Sequence, residues 1–187
     1  MEFHIKNMVC DRCIMVVQND FENASIAIDS IALGKVSTVN KLVEAAKIQQ
    51  LKQQLELHGF ELLETEEAIL SDAIKTEILN FVAQADMESE KLSVYLTHKL
   101  HKDYGVLSKH FSKYNDSTIE RYLIKLKVEK AKQYIREGRF NFSEIAAQLG
   151  YHSLSHLSTQ FKKETGVSLS EFKSNPDLQR NTLDKIL

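Results

Sequence analysis

Phe142-Ser143-Glu144-Ile145-Ala146-Ala147-Gln148-Leu149-Gly150-Tyr151, continued by Ser153-Leu154-Ser155-His156-Leu157-Ser158-Thr159-Gln160-Phe161-Lys162-Lys163-Glu164, decides the fold of most of this chain. Ser143 is a capping residue, and Ile145, Ala146 and Leu149 follow it at helical spacing. Gly150 then breaks the run, and Leu157 and Phe161 restart the same period behind Ser153. The expected order is helix, glycine turn, helix, which is a helix-turn-helix unit.

Working outward, the pattern occurs a second time. A helix beginning at Ser89 turns Leu92, Leu96 and Leu100 inward, Lys102-Asp103 makes a turn, and the next helix turns Leu107 and Phe111 inward. Between the two units, Ser117 or Thr118 caps a long helix with Ile119, Tyr122, Leu123, Leu126, Ala131, Tyr134 and Ile135 in register, ended by Gly138. A helix of about 20 residues spans roughly 30 Å, close to the ~34 Å between successive major grooves on one face of B-DNA. Upstream, Glu66 to Ala85 places Ile69, Leu70, Ala73, Ile74, Ile78, Leu79 and Val82 on one stripe. That helix follows the preceding strand without a linker, so the two halves are expected to be joined rigidly.

Charge divides the chain in the same way. The 187 residues carry a net charge of −2. Residues 1–65 hold 6 Lys/Arg against 9 Asp/Glu, residues 66–98 hold 2 against 7, and residues 99–173 hold 14 against 8, a local charge of +6. A basic stretch inside an acidic chain is the footprint of a nucleic-acid surface, and solvated helical faces can look similar. Helical spacing turns Tyr104, Gly105, Ser108, Lys109, Ser112 and Lys113 outward on the first recognition helix. On the second it turns Leu154, Ser155, His156, Thr159, Gln160 and Lys163 outward, with Lys162 at the edge. Lysines and hydroxyls suit phosphates as well as bases, whereas Gln160 and Lys109 can donate to purine edges.

The stretches Tyr122 to Lys132, Phe142 to Tyr151 and Phe161 to Phe172 resemble the DNA-binding domain of AraC-type transcription regulators. The resemblance runs from about Ile69 to Phe172 and implies two helix-turn-helix units joined by a long helix. It assigns base reading to Gly105, Ser108 and Lys109 in the first unit and to Leu154, Ser155 and Thr159 in the second. Thr159 stands where that family often has arginine, Leu154 where it often has glutamine, and Asp116 where it often has glycine. The β-barrel for sugars or small molecules that usually precedes such a domain has no counterpart in the first 65 residues, so no carbohydrate effector is expected.

Those residues read differently. Glu2 to Lys6 alternates as a half-buried strand, and Ile14, Val17 and Phe21 then recur at helical spacing. Ser25 to Val39 suggests two short strands joined at Leu33-Gly34-Lys35. From Asn40, a capping candidate, Leu42, Val43, Ala46, Leu51, Leu55 and Leu57 support a helix closed by His58-Gly59, and Phe60 to Leu63 supplies a last strand. The sum is βαββαβ, a ferredoxin-like plan.

Cys10 and Cys13 are the two cysteines of the chain. A disulfide between them would close a tiny loop and staple nothing, so their purpose is chemical. At a helix start, free amides and the helix dipole favour thiolate, and two thiolates suit Cu(I) or half of a tetrahedral Zn(II) set. Asn7-Met8-Val9-Cys10-Asp11-Arg12-Cys13 on this frame resembles the heavy-metal-associated domain of copper chaperones and metal-pumping ATPases, whose loop signature is Met-x-Cys-x-x-Cys. That family often has glycine where Asn7 stands. The resemblance implies a soft-metal site at Cys10 and Cys13, with Met8 packed beneath the loop. A thiol–disulfide pair and two small buried residues at a helix start remain the alternatives.

The sequence thus leads to an α+β chain: a small ferredoxin-like sensor over residues 1–65, an all-α double helix-turn-helix domain over residues 66–175, and a tail over residues 176–187. The expected function is sequence-specific binding of double-stranded DNA by a transcription regulator responsive to a soft metal or to thiol state. The alternative is a metal carrier or thiol redox protein whose basic helices meet a protein partner. His98, His101 and His110 have no cysteine or acidic company in sequence and are read as solvated or core histidines. No constellation supports acid–base or nucleophilic catalysis, so an enzyme is not expected. Neither a signal-peptide layout nor a stretch of about 20 apolar residues is present, so a cytoplasmic protein without membrane contact is expected, with a homodimer as one permitted assembly.

Overall fold

The computed structural model describes residues 1–83, 90–175, 183 and 186. Ser89, residues 84 and 85 of the long amphipathic stretch, and most of the tail fall outside the described residues. The chain divides into two compact units, Met1–Thr76 and Glu77–Leu187.

The first unit follows the expected order: β1 (Glu2–Lys6), α1 (Asp11–Asn23), β2 (Ile28–Ala32), β3 (Lys35–Thr38), α2 (Ala45–Leu57) and β4 (Glu61–Leu63). The strands form one sheet in the order β2-β3-β1-β4 with every neighbouring pair antiparallel. Phe3 lies opposite Val36 and Ile5 opposite Leu62. Alternation in β1 sends Phe3 and Ile5 to one face, where they are buried with Val17 and Phe21 of α1, Val36 of β3, and Leu51 and Leu55 of α2. Each such side chain contributes about 1.5–3 kcal/mol by leaving water. The Phe3 and Phe21 rings meet edge to face at 5.4 Å between centroids. One carboxylate, Asp20, is fully buried in this core and faces His58 Nδ1 at 2.9 Å.

The start of α2 differs from the sequence expectation. The helix begins at Ala45 behind Glu44, not at Asn40, and Leu42 is 89% exposed. The Asn40 carbonyl accepts from Thr38 Oγ1 at 2.8 Å and from the N-terminal amine at 3.2 Å, which ties this residue to the end of β3. Leu57, also read as helix-supporting and apolar, is 76% exposed in the last turn.

α3 (Glu66–Ala83) closes the first unit and opens the second, in which Ile78, Phe81 and Val82 are buried. The second unit continues with α4 (Leu92–Leu100), α5 (Tyr104–Asn115), α6 (Ile119–Glu137), α7 (Phe142–Gln148), α8 (Leu154–Thr165) and α9 (Leu169–Ser174). Leu96, Leu107, Phe111 and Ile119 are fully buried. Val128, Ala131 and Ile135 of α6 form a second core with Ile145, Ala146, Leu157, Phe161, Leu169 and Phe172. Thr118 caps α6 by accepting from the Arg121 amide. α7 is capped by Asn141 and not by Ser143: the Asn141 side chain accepts from the amides of Ser143 and Glu144, and Glu144 accepts from the Asn141 amide in return.

Candidate nucleic-acid interface and thiol pair

Two helix-turn-helix units stand in the second unit, α4–α5 and α7–α8, with α6 between them. The 19 residues of α6 give a length of about 28 Å. The recognition helices are fixed from their inner faces, α5 by Leu107 and Phe111, α8 by Leu157 and Phe161, all four fully buried. Ser153 accepts from the His156 amide and thereby sets the first turn of α8.

None of the outward residues inferred from helical spacing is buried. Gly105, Lys109, Lys113, Leu154, Ser155, His156, Thr159, Lys162 and Lys163 are exposed, and Tyr104, Ser108, Ser112 and Gln160 are half-buried. Among the described residues Lys109, Lys113, Lys162 and Lys163 form no ion pair with a carboxylate. Lys113 lies over the ring of Tyr114, 5.2 Å from its centroid. Two groups are partly committed inside the protein. The Tyr104 hydroxyl donates to Glu120 in the first turn of α6, and burial together with that bond raises its pKa. Thr159 Oγ1 donates to the Ser155 carbonyl at 2.9 Å, which leaves its oxygen as an acceptor.

Spacing alone missed several groups here. Val106 and Tyr114 of α5 are 54% and 43% exposed beside the predicted polar residues. α9 has no counterpart among the helices expected from spacing, although Ser168-x-x-Glu171 spells the reciprocal cap that starts it. Lys132 and Glu129 form a buried pair on α6 at 2.6 Å, with the Lys132 ammonium also over Phe172. His98 and His101 are exposed, and His110 stacks on Tyr114 at 4.6 Å. Among the described residues no group of three His, Cys, Asp or Glu side chains is arranged to hold a metal ion.

In the first unit, Cys10 is the N-cap of α1 and Cys13 lies in its first turn. Their sulfurs are 3.5 Å apart. Asn7 opens the loop with φ +72°, a left-handed conformation that asparagine tolerates and glycine adopts freely. Its side chain donates to the Gly59 carbonyl at 3.0 Å, and its own carbonyl faces the Cys13 thiol at 3.9 Å. Met8 is 2% exposed and belongs to the apolar core. The two thiols differ. Burial works against the Cys10 thiolate, but the Cys13 and Arg12 amides, the Cys13 thiol and the Arg12 guanidinium outweigh it, so the Cys10 pKa falls below the ordinary thiol value. Deeper burial dominates at Cys13 and raises its pKa.

At a metal–sulfur distance of ~2.3 Å, two ligands of a tetrahedral ion lie roughly 3.8 Å apart and two ligands of a linear ion roughly 4.6 Å apart. The 3.5 Å pair lies closer to the first separation than to the second, and Cys10 is exposed.

A family model described as a helix-turn-helix domain matches residues 96–175. No curated protein matches the chain. Among solved structures, the chain is similar to a DNA-binding transcriptional dual regulator from Escherichia coli K-12, at 20% identity over 56% of this chain and 89% of that one, with a TM-score of 0.48. It is similar to the transcriptional regulator CdpR from Pseudomonas aeruginosa at 17% identity over 85% of this chain and 51% of that one, TM-score 0.44. It is also similar to the xylose-binding transcription activator xylR at 16% identity over 78% and 34%, TM-score 0.43.

Proposed function

We propose that this chain is a cytoplasmic, DNA-binding transcription regulator of the AraC type whose operator affinity responds to the state of Cys10 and Cys13. The observation that carries the DNA reading is the paired arrangement itself: two helix-turn-helix units, each presenting a lysine-bearing recognition helix, separated by a helix of about 28 Å. α5 and α8 enter successive major grooves, with Lys109, Lys113, Lys162 and Lys163 on phosphates and Gly105, Ser108, Leu154, Ser155, Thr159 and Gln160 facing base edges. Such binding needs no catalytic group. No described helix is long and apolar enough to cross a membrane.

The thiol reading rests on the 3.5 Å sulfur pair at the start of α1. We read the βαββαβ order of the first unit as the ferredoxin-like plan and the pair as a soft-metal site, Cu(I) before Zn(II), since only two sulfurs are supplied. When bound, such an ion would hold both thiolates and remove the proton that Cys13 now shares with the Asn7 carbonyl. The proposed coupling to DNA is reciprocal and typically worth ~1 to 3 kcal/mol.

Selection from randomised duplexes with the full chain, followed by titration of the selected duplex with and without Cu(I), tests the reading. Retention of one recurring sequence, with an affinity that changes on adding Cu(I) and does not change in the Cys10→Ser, Cys13→Ser variant, is expected. Elution from DNA resin at low salt with no selected sequence would instead favour a metal carrier or thiol redox protein.

A further inference from the structure

The thiol loop is held from outside itself, and the group that holds it lies 65 positions away from Asn7 in sequence. Asp72 of α3 accepts a hydrogen bond from the Asn7 amide. Its Oδ2 also packs against the β2–β3 turn: a Cβ added to Gly34 would stand 3.3 Å from Asp72 Oδ2 and 3.3 Å from Thr76 Oγ1. Gly34 has φ +78°, and its carbonyl accepts from the Ile5 amide at 3.0 Å. Three segments, the β1–α1 loop, the β2–β3 turn and α3, therefore meet at one carboxyl group. Lys6 and Lys75 attract its charge and Glu61 repels it.

Asn7 makes the consequence local to the thiols. Its three polar groups are each used: the amide on Asp72, the side chain on Gly59, and the carbonyl facing Cys13 Sγ. Asparagine tolerates the left-handed region, and these contacts are what select it for Asn7. Releasing the Asn7 amide frees the turn to relax, and the carbonyl that fixes the Cys13 sulfur moves with it.

We propose that Asp72 is the positioning residue of the thiol site, holding Asn7 in its left-handed turn and so keeping the Cys13 sulfur beside Cys10. The proposal rests on the reading of Cys10 and Cys13 as a chemically active pair and adds the group that organises it. It makes a distinction between two variants. Asp72→Asn keeps an oxygen that can accept from the Asn7 amide. Asp72→Ala removes the acceptor and leaves that amide without a partner.

Two readouts on the full chain separate this proposal from the metal reading. In the first, the protein is equilibrated without oxygen in glutathione and its disulfide. The Cys10–Cys13 disulfide forms as oxidised glutathione is reduced to two thiols, and alkylation with mass analysis gives the equilibrium constant. In the second, a Cu(I) chelator competes for the metal. Asp72→Ala should lower both constants by about tenfold, the usual effect of an outer-shell partner, while Asp72→Asn stays within about twofold of the wild type. Unchanged constants in a folded Asp72→Ala would overturn the proposal even if Cu(I) binds. Failure of the wild type to bind Cu(I) would remove the metal reading while the glutathione equilibrium still decides the proposal. Should Asp72→Ala not fold, amide hydrogen exchange in the wild type serves. An Asn7 amide as protected as those of β1 is expected, and one exchanging as freely as an open loop would overturn the proposal.

Discussion

Removing single lysines from the recognition helices should change the salt dependence of DNA binding by a countable amount. Each phosphate neutralised by a lysine contributes about 0.9 to the slope of log affinity against log salt. Lys109 and Lys113 are one turn apart on α5, and Lys162 and Lys163 occupy the last turn of α8, all exposed. Because none of the four forms an ion pair with a carboxylate among the described residues, no such ion pair must be broken on binding. If all four contact phosphate, together they supply a slope of about 3.6, so a rise from about 50 to 200 mM salt weakens binding by roughly 150-fold through these groups alone. Each Lys→Ala change should then lower the slope by about 0.9 and the salt sensitivity over the same range by about 3.5-fold. Fluorescence anisotropy of a labelled duplex over a salt series measures this directly, for the selected duplex and for an unrelated one. Lys52→Ala, in the first unit and already paired with Glu64, is the control that should leave the slope alone. A Lys109→Ala protein that changes preference at one base pair with the slope intact would refute the phosphate assignment of that residue. Four unchanged slopes would refute the placement of both helices.

Three further outcomes are expected. Cys10, with its lowered pKa, should react with iodoacetamide before Cys13 at neutral pH, and peptide mass analysis of a timed reaction gives the order. Asp72, raised by burial to about 6, binds a proton in the folded chain where the unfolded chain has released it. Its contribution to stability therefore falls as pH rises from about 4 to 6, by roughly 2–3 kcal/mol, and the stability of Asp72→Asn relative to the wild type should rise across that window in urea unfolding. Asp116, which ends α5 with φ +47°, carries the cost of a left-handed side chain and a negative charge at a helix C-terminus; Asp116→Gly should gain about 1 kcal/mol and raise the Tm by a few degrees.

Where the sequence could be read, a local rule and the tertiary contact agreed. β1 alternates because one of its faces is core, and the α7–α8 turn is marked because Gly150 takes φ +62° between two apolar runs. Where it misled, two residues were each capable of the same job. Asn40 and Glu44 both precede plausible helix, and the choice was made by Thr38, whose hydroxyl claims the Asn40 carbonyl for the end of β3. Asn141 and Ser143 can each cap α7, and Glu144 decides for Asn141 because it stands three residues after it. The signal for that choice was present, as it was for α9.

The candidate sites divide along the same line. The spacing of Cys10 and Cys13 is local and visible, whereas Asp72 reaches Asn7 only through the packing of α3, which no period in the sequence encodes. On the recognition helices, spacing gives the direction of a side chain but not what it meets. Tyr104 points outward as expected, yet its hydroxyl is donated to Glu120 at the start of the linking helix. That bond leaves only the phenolic lone pair for an incoming donor, so Tyr104 is poorly suited to a phosphate oxygen, which can only accept. Its position fixes the first turn of α5 against α6 instead. On the proposed DNA reading, base contacts in the first unit then fall to Gly105 and Ser108, with the exposed Val106 beside them offering an apolar surface of the kind that meets a thymine methyl.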